Sequence, residues 1–266
     1  MTIQKFQNQI FIVGPCAVEN REMVMETAKN SRELGVDFVR LSLWKPRTKP
    51  GFEGVGEAGI DWIVEAANMG VNPAVEPIIP EHAAKVAQAV LTRAPKAKLL
   101  LWIGARNQNH IIQREIAKIA AQDERIYLMV KNQVWSNEKH WEGVVEHVLD
   151  GGIKPSRLLL CHRGFAPGGA NPEGYRNVPD YDMTLRMKEK TKLPMIFDPS
   201  HTGGSVEKVF KISQEALEHE FDGYIVEVHP NPKAALSDAH QQLTWKEFHK
   251  LLKLLYNKRS KKLKVN

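Results

Sequence analysis

The chain has few cysteines and no long apolar run, and both absences narrow what it can be. Two cysteines in 266 residues cannot build the disulfide framework of a small secreted domain, so we expect a cytoplasmic protein. No apolar stretch approaches the ~20 residues that span a bilayer. The apolar run at residues 10–13 is too short for a signal-peptide core. We therefore expect no association with a membrane.

Little net positive charge lies outside one end of the chain. The formal net charge is +6, and residues 257–266 contribute five cations and no acid to it. Such a run is typical of a solvated terminus rather than of a nucleic-acid-binding surface. The sequence therefore predicts no nucleic-acid partner, and functional cations must be sought inside the fold.

Short β-rich runs alternate with amphipathic segments of helical period along the whole chain. There are eight such runs, at residues 10–13, 38–43, 73–76, 99–103, 126–130, 158–161, 195–198 and 224–228. Eight βα units without a linker predict a single-domain α/β protein, a (β/α)8 TIM barrel over residues 1–250. Residues 251–266 are expected to form the end of a C-terminal helix and a basic tail. An open doubly wound sheet is the alternative architecture.

The seventh run ends in side chains that are suited to chemistry. Asp198, Ser200 and His201 follow its apolar part, and Gly203 and Gly204 come next. In α/β folds the carboxyl end of a strand is where ligands bind. A neutral imidazole there can ligate a metal, although a histidine in a helix N-cap turn would fit the same residues. The residues at the ends of the other strands distinguish a metal ligand from a histidine in a cap turn.

One group of candidate residues is suited to a metal ion. Cys16, His201, Glu227 and Asp238 come from the first, seventh and eighth strands and the loop after the eighth, which barrel closure makes neighbours. A thiolate, an imidazole and two carboxylates suit Mn²⁺, Fe²⁺, Co²⁺ or Zn²⁺. They also leave positions open for water or substrate. The alternatives are a core cysteine at position 16 and a structural salt bridge at position 227.

A second group of candidate residues consists of cations at the ends of the second, fourth, fifth and sixth strands. Its members are Arg40, Lys45, Arg47, Arg106, Lys131 and Arg163. Buried cations need counter-charges, and nearby acids can supply only part of them. Anionic substrates would supply the rest, because Arg forks suit phosphate and carboxylate oxygens. Solvated surface positions could explain any one of these residues, but not all six at strand ends.

These residues lie in motifs that resemble those of 3-deoxy-D-arabino-heptulosonate 7-phosphate (DAHP) synthase. The motifs are GPCAVE at 14–19, KPRT at 45–48, GARN at 104–107, HRG at 162–164, DPSH at 198–201, VEVH at 226–229 and LSD at 236–238. The chain is similar to the short Iβ type of this enzyme. The pair KN at 131–132 and the triplet YRN at 175–177 resemble the subgroup that is fused to chorismate mutase in some bacteria.

The resemblance implies a metal-dependent condensation of phosphoenolpyruvate with erythrose 4-phosphate, the first step of the shikimate pathway. It implies a divalent metal, with Mn²⁺ expected first, on Cys16, His201, Glu227 and Asp238. It assigns substrate binding to Arg40, Lys45, Arg47, Thr48, Ala105, Arg106, Lys131 and Arg163. Of these, Arg47 and Thr48 are expected to hold the aldose phosphate. Catalysis is assigned to Lys45, Cys16 and His201, with Lys45 protonating the developing alkoxide.

Two alternatives to this function remain at this point. The sister enzyme 3-deoxy-D-manno-octulosonate 8-phosphate synthase uses arabinose 5-phosphate, but it has a Lys-Ala-Asn-Arg-type segment where this chain has KPRT. A non-catalytic barrel that docks a partner such as chorismate mutase is the other alternative. We expect a homo-oligomer, a dimer or tetramer, with a chorismate mutase domain or partner as a further expectation.

Overall fold

The structure, a computed structural model, describes residues 9–46 and 50–262, and side chains up to residue 256. Its strands form one closed, parallel barrel in sequence order, with the last strand beside the first. The strands are β1 (Ile10–Gly14), β2 (Phe38–Arg40), β3 (Pro73–Val75), β4 (Leu99–Ile103), β5 (Ile126–Lys131), β6 (Leu158–His162), β7 (Met195–Phe197) and β8 (Gly223–Glu227). The predicted (β/α)8 barrel is confirmed, and the open sheet is excluded.

Helices follow the strands along the chain, and most of them cover the outside of the barrel. They are α1 (Arg21–Leu34), α2 (Ile60–Asn68), α3 (Pro80–Arg93), α4 (His110–Ala121), α5 (Glu138–Asp150), α6 (Tyr181–Thr191), α7 (Pro199–Gly203), α8 (Val206–Glu215) and α9 (Trp245–Lys262). Helix α9 runs across the expected boundary at residue 250, so the division between barrel and basic tail stays a prediction. Among the residues that the structure describes, no helix has both the length and the apolar character that a membrane span requires.

The apolar residues of the strands pack in two layers, one inside the barrel and one under the helices. In β4, Leu100 and Trp102 belong to the inner layer, whereas Leu99, Leu101 and Ile103 pack in the outer layer. Successive side chains of a strand point to opposite faces. A strand that is covered on both faces is therefore apolar throughout, which explains the continuous runs in the sequence.

The same alternation places chemistry at the mouth of the barrel. Every second residue of a strand points into the barrel. The inward residue that follows the last apolar one therefore lies at the carboxyl end of the strand. In β2, for example, Phe38 lies in the inner layer and Arg40 follows it at the mouth. The mouth positions of the eight strands in order are Gly14, Arg40, Glu76, Gly104, Lys131, Arg163, Asp198 and Glu227.

The second strand is shorter than predicted, whereas the other strands begin and end within one residue of their predicted limits. Leu41 N still donates to Ala74 O of β3 at 2.7 Å, but the chain then leaves the sheet, because Ser42 bonds to neighbouring segments at the mouth. Its carbonyl oxygen accepts a hydrogen bond from Val18 N at 2.8 Å, and its hydroxyl accepts one from Glu76 N at 3.1 Å. The predicted residues 41–43 therefore form part of the mouth instead of a strand.

Gly14 is the glycine on which the mouth geometry depends most directly. Its φ is +152°, and a Cβ there would fall well inside contact distance of the Arg40 carbonyl oxygen. We expect Gly14→Ala to lower the free energy of unfolding by about 3 kcal/mol or more, from backbone strain and overpacking together. Chemical denaturation of the variant and the wild type measures the difference in their free energies of unfolding.

Gly35 supplies the matched control, because its φ is also positive, at +68°, yet no heavy atom lies within 4 Å of its added Cβ. Gly35→Ala should therefore cost only the left-handed backbone strain, about 1–2 kcal/mol. Equal losses in the two variants would contradict a steric role for Gly14.

Candidate active site at the mouth of the barrel

Closure of the barrel between β1 and β8 brings the first group of candidate residues together. Gly14 pairs with Glu227 in the sheet register, and Cys16 lies two residues beyond Gly14. The Cys16 Sγ atom is 3.2 Å from Asp238 Oδ2. One ligand atom each from Cys16, Glu227 and Asp238 lie within 4.8 Å of one another. These three residues, 222 positions apart at the extremes, form one compact set of sulfur and oxygen donors.

His201 reaches the edge of this donor set from helix α7. Its Nε2 atom is 3.5 Å from Glu227 Oε1, and its Nδ1 atom is 2.9 Å from Asp198 Oδ2. Asp198 also caps the helix, because its Oδ1 accepts a hydrogen bond from His201 N at 3.0 Å. A carboxylate beside Nδ1 favours the tautomer with the proton on Nδ1. The Nε2 lone pair is then directed toward the donor set.

The protonation states of these groups follow from burial and from their neighbours. Burial raises the pKa of the Cys16 thiol to about 12, with Glu227 adding to the effect. Burial lowers the pKa of His201, so its imidazole is neutral near pH 7. For Asp198, burial acts in the opposite direction, but His201 and Lys131 hold its pKa well below the usual range. The site therefore combines a neutral imidazole with ionised carboxylates and a thiol.

Lys45 lies against the donor set and carries a stable positive charge. Its Nζ atom is 2.6 Å from Cys16 Sγ and 2.7 Å from Asp238 Oδ2. Burial alone would lower the pKa of Lys45, but Cys16, Glu227 and Asp238 raise it. The ammonium group is thus a proton donor placed directly beside the thiol and a carboxylate.

Two other cations of the second group are buried and neutralised by acids. Arg40 Nη2 donates to Glu227 Oε1 at 3.0 Å, and Lys131 Nζ donates to Asp198 Oδ2 at 2.7 Å. Both cations lie over the Trp102 ring, at 5.3 and 5.7 Å from its centroid, where a cation–π contact is favourable. The Arg40 Nη1 atom is buried without a hydrogen-bond partner among the described residues.

Arg163 differs from these two cations. It is 5% exposed, yet within the described part of the chain its guanidinium forms no hydrogen bond and no ion pair. Burial, only partly opposed by Asp198, lowers the pKa of Arg163 to about 10, so it is still charged at neutral pH. Arg106 is exposed at the same mouth, beside the buried Ala105. The mouth therefore holds a desolvated positive charge that an anion could neutralise.

The remaining predicted site residues, Arg47 and Thr48, lie outside the described residues. Their assignment to the aldose phosphate stays a prediction.

Several residues that sequence reasoning did not assign also contact the site. Asn132 Oδ1 accepts a hydrogen bond from Arg163 N at 2.8 Å. Arg176 Nη1 donates to Asp238 Oδ1 at 3.0 Å, and Gln241 Nε2 donates to Glu227 Oε2 at 2.6 Å. Arg176 and Gln241 are in long loops rather than at strand ends, so position along a strand could not have found them. An uncharged amide also carries no signal in a sequence without its contacts.

Comparisons with known proteins agree with the geometry of the site. A family profile described as DAHP synthetase I family matches residues 3–264. The chain belongs to the DAHP synthetase I family. The resemblance seen in the motifs is confirmed, and the chain is a DAHP synthase, a transferase that condenses phosphoenolpyruvate with erythrose 4-phosphate.

Individual members of the DAHP synthetase I family give the same result. A Thermotoga maritima protein named phospho-2-dehydro-3-deoxyheptonate aldolase is 33% identical over 243 residues, which cover 91% of this chain and 67% of that protein. Its crystal structure superposes with a TM-score of 0.81 at 32% identity, covering 94% of this chain and 68% of the other. A truncated form of the Thermotoga maritima enzyme, named 3-deoxy-D-arabino-heptulosonate 7-phosphate synthase, gives a TM-score of 0.78 at 29% identity and is itself covered to 86%.

The alternative sister enzyme is also represented among the relatives. A protein of Francisella tularensis subsp. novicida named 2-dehydro-3-deoxyphosphooctonate aldolase is 26% identical over 267 residues, covering 91% of this chain and 89% of that protein. Its identity is lower than that of the Thermotoga maritima relative, as expected for a chain with KPRT at residues 45–48.

His162 is a buried group of this DAHP synthase whose behaviour depends on pH. Its Nε2 atom accepts a hydrogen bond from Asp180 N at 3.1 Å, which holds the start of α6. Burial lowers the pKa of His162 to about 3, against about 6.5 for an unfolded histidine. Between these values the unfolded chain binds a proton that the folded chain does not, so the stability contributed by a neutral His162 falls as the pH drops below 6.5.

We therefore expect the free energy of unfolding to decrease from pH 6.5 toward pH 4, with His162 contributing up to about 1.4 kcal/mol per pH unit. In His162→Gln the amide oxygen can still accept from Asp180 N, but no proton is taken up. Its stability should fall less steeply over this range in denaturation experiments. The same slope in both proteins would show that His162 is protonated in the folded state.

Proposed function

We propose that this DAHP synthase carries out its condensation at the barrel mouth, with a divalent metal on one side and phosphoenolpyruvate on the other. The observation that carries the proposal is the juxtaposition of two sites. Three candidate metal ligands lie within 4.8 Å of one another. At the same mouth, Arg163 is buried without an acidic partner among the described residues.

The donor set fits a borderline divalent metal. Cys16, Glu227, Asp238 and the Nε2 of His201 offer sulfur, oxygen and nitrogen ligands, which suit Mn²⁺, Fe²⁺, Co²⁺ or Zn²⁺. The family resemblance, and not the ligand set, favours Mn²⁺ among them. A metal bound by these residues would supply Lewis-acid polarisation of the aldehyde oxygen of erythrose 4-phosphate. The Asp198–His201 hydrogen bond supports this role, because ligating histidines usually donate their second N–H to a carboxylate.

The cations of the mouth are proposed to hold phosphoenolpyruvate. Arg163, Arg106 and Lys131 would bind its phosphate, and the guanidinium of Arg163 matches two phosphate oxygens at once. Arg40, whose Nη1 has no hydrogen-bond partner within the described part of the chain, has one donor available for a further anionic oxygen. Ala105 would line the same pocket, and Arg47 and Thr48 would bind the aldose phosphate.

The residues then support each stage of the reaction. Carbon 3 of phosphoenolpyruvate attacks the aldehyde carbon, and the aldehyde oxygen takes up a proton as the bond forms. Lys45 is the proposed donor, because its ammonium is adjacent to the metal-ligand set and an alkoxide is far more basic than an amine. Water then adds at carbon 2, and phosphate leaves by cleavage of its C–O bond. Arg163 would stabilise the charge that builds on that phosphate.

Phosphate release in the presence of both substrates tests the reaction and the metal together. We expect removal of metal with EDTA to abolish turnover and Mn²⁺ to restore it. Arabinose 5-phosphate in place of erythrose 4-phosphate should support little turnover. Full activity in metal-free buffer would overturn the metal proposal, and preferential use of arabinose 5-phosphate would instead favour the sister reaction.

Replacement of Arg163 tests the phosphate site. Arg163→Lys keeps the charge but loses one of two parallel hydrogen bonds. A charge-assisted hydrogen bond contributes about 1.5–3 kcal/mol, so kcat/KM for phosphoenolpyruvate should fall roughly ten- to a hundred-fold. Part of the loss should appear in kcat, because the contact strengthens as the phosphate leaves. The KM for erythrose 4-phosphate should change little in steady-state kinetics.

Arg157 provides the matched control for this substitution. It is also buried, but it lies just before the amino end of β6, away from the mouth. Its Nη1 donates to the carbonyl oxygens of Ala120, Asp123 and Ile126. Arg157→Lys should lower stability and leave the KM for phosphoenolpyruvate unchanged. If Arg163→Lys shows this same pattern, its role is structural and not catalytic.

Three properties are proposed from the sequence and its resemblance alone. The first is a cytoplasmic location, which rests on the low cysteine content. The second is assembly as a homodimer or homotetramer. The third is association with a chorismate mutase domain or partner.

A further inference from the structure

We propose that Arg176 and Gln241 are positioning residues that hold the two carboxylates of the metal centre, Glu227 and Asp238, in ligating geometry. This inference rests on the proposed function, since it concerns the same metal. Arg176 lies in the YRN triplet at 175–177, but the sequence assigned no role to it or to Gln241. Neither residue touches the reacting atoms in the proposed reaction.

A single chain of hydrogen bonds joins the two carboxylates. Arg176 Nη1 donates to Asp238 Oδ1 at 3.0 Å and to Gln241 Oε1 at 2.5 Å. Gln241 Nε2 in turn donates to Glu227 Oε2 at 2.6 Å. Gln241 is 1% exposed, so water cannot readily replace it. These hydrogen bonds therefore connect the loop cation Arg176 to both acidic residues of the donor set.

The orientation of the Gln241 amide is set by its neighbours. Its oxygen must face the guanidinium and its NH₂ must face the carboxylate, because the reverse arrangement would oppose like partial charges. Glu227 Oε1 is already engaged by Arg40 at 3.0 Å, so Gln241 takes the second oxygen. The two bonds together determine the plane of the Glu227 carboxylate.

Asp238 needs such support more than an ordinary loop residue. Its φ is +47°, in the left-handed region, which aspartate tolerates better than most residues but still at a cost. Its Oδ2 contacts Lys45 at 2.7 Å, while its Oδ1 contacts Arg176. Strained backbone of this kind persists where surrounding contacts over-determine it. Arg176 supplies one of the two cations that do so.

Adjacent residues extend the same support to the other two candidate ligands. Gln242 Oε1 accepts from Cys16 N at 2.9 Å, and its Nε2 donates to Ser237 O at 2.8 Å. Asn177 Nδ2 donates to His201 O at 2.6 Å. Loop residues next to Arg176 and Gln241 thus tie down the backbone beside Cys16, Asp238 and His201.

Binding of Mn²⁺, followed by the loss of its free EPR signal during titration, tests the inference without relying on turnover. Outer-shell partners typically contribute 10- to 100-fold to metal affinity. We expect Gln241→Met and Arg176→Met each to weaken Mn²⁺ binding by about this factor. The double variant should lose less than the product of the two factors, because both act through one chain of bonds. Arg176→Lys should recover part of the affinity.

Gln113→Met is the matched control. Gln113 is also buried, and its Nε2 donates to Asn107 O at 2.7 Å near α4, on a part of the barrel that holds none of the four ligands. It should lower the thermal midpoint of the metal-free protein and leave the Mn²⁺ affinity unchanged. An equal loss of affinity in this control would overturn the inference, since general destabilisation would then explain the effect.

Cys16→Ser separates this inference from the proposed metal site itself. Co²⁺ bound through a thiolate gives a charge-transfer absorption, which Cys16→Ser should abolish and Gln241→Met should retain at weaker affinity. If Cys16→Ser binds metal like the wild type, the metal site is wrongly assigned and the positioning role fails with it. If Cys16→Ser loses the metal but Gln241→Met and Arg176→Met bind it normally, only the positioning role is overturned.

Discussion

The mutual neutralisation of buried charges at the barrel mouth is the interaction on which the rest of the site depends. Arg40 faces Glu227, and Lys131 faces Asp198, and all four side chains are buried. Removing one partner from a buried pair typically costs about 3–5 kcal/mol, because the other charge is left uncompensated. An exposed pair such as Arg21 and Glu65 contributes far less, because solvent screens its charges. The mouth charges are therefore linked to each other far more tightly than the surface charges.

The same linkage divides the mouth into groups that are already satisfied and groups that are not. Asp198 neutralises Lys131 and also orients His201, so one carboxylate serves both halves of the site. Arg163 has no comparable partner among the residues that the structure describes. A buried cation left in this way favours an incoming anion. In the proposed function, the phosphate of phosphoenolpyruvate would neutralise Arg163.

Much of the site follows from a two-residue period applied to eight strands. Arg40, Lys131, Arg163 and Glu227 could be identified from the sequence because each continues the inward alternation just past an apolar strand. Cys16 and Asp238 were grouped from the order of the strands and from the resemblance, and they lie next to each other once β1 closes on β8. The early end of β2 could not be predicted, since Ser42 leaves the sheet for hydrogen bonds that other loops provide.

The sequence by itself determined the barrel, the order of its strands and the residue types at its mouth, because burial on two faces and alternation are local patterns. Only the tertiary structure decided which charges are paired and which are not. It also revealed Arg176 and Gln241, whose contacts depend on the paths of two long loops. Such contacts join residues 65 positions apart in the chain, and no local pattern specifies where a loop places an amide or a guanidinium.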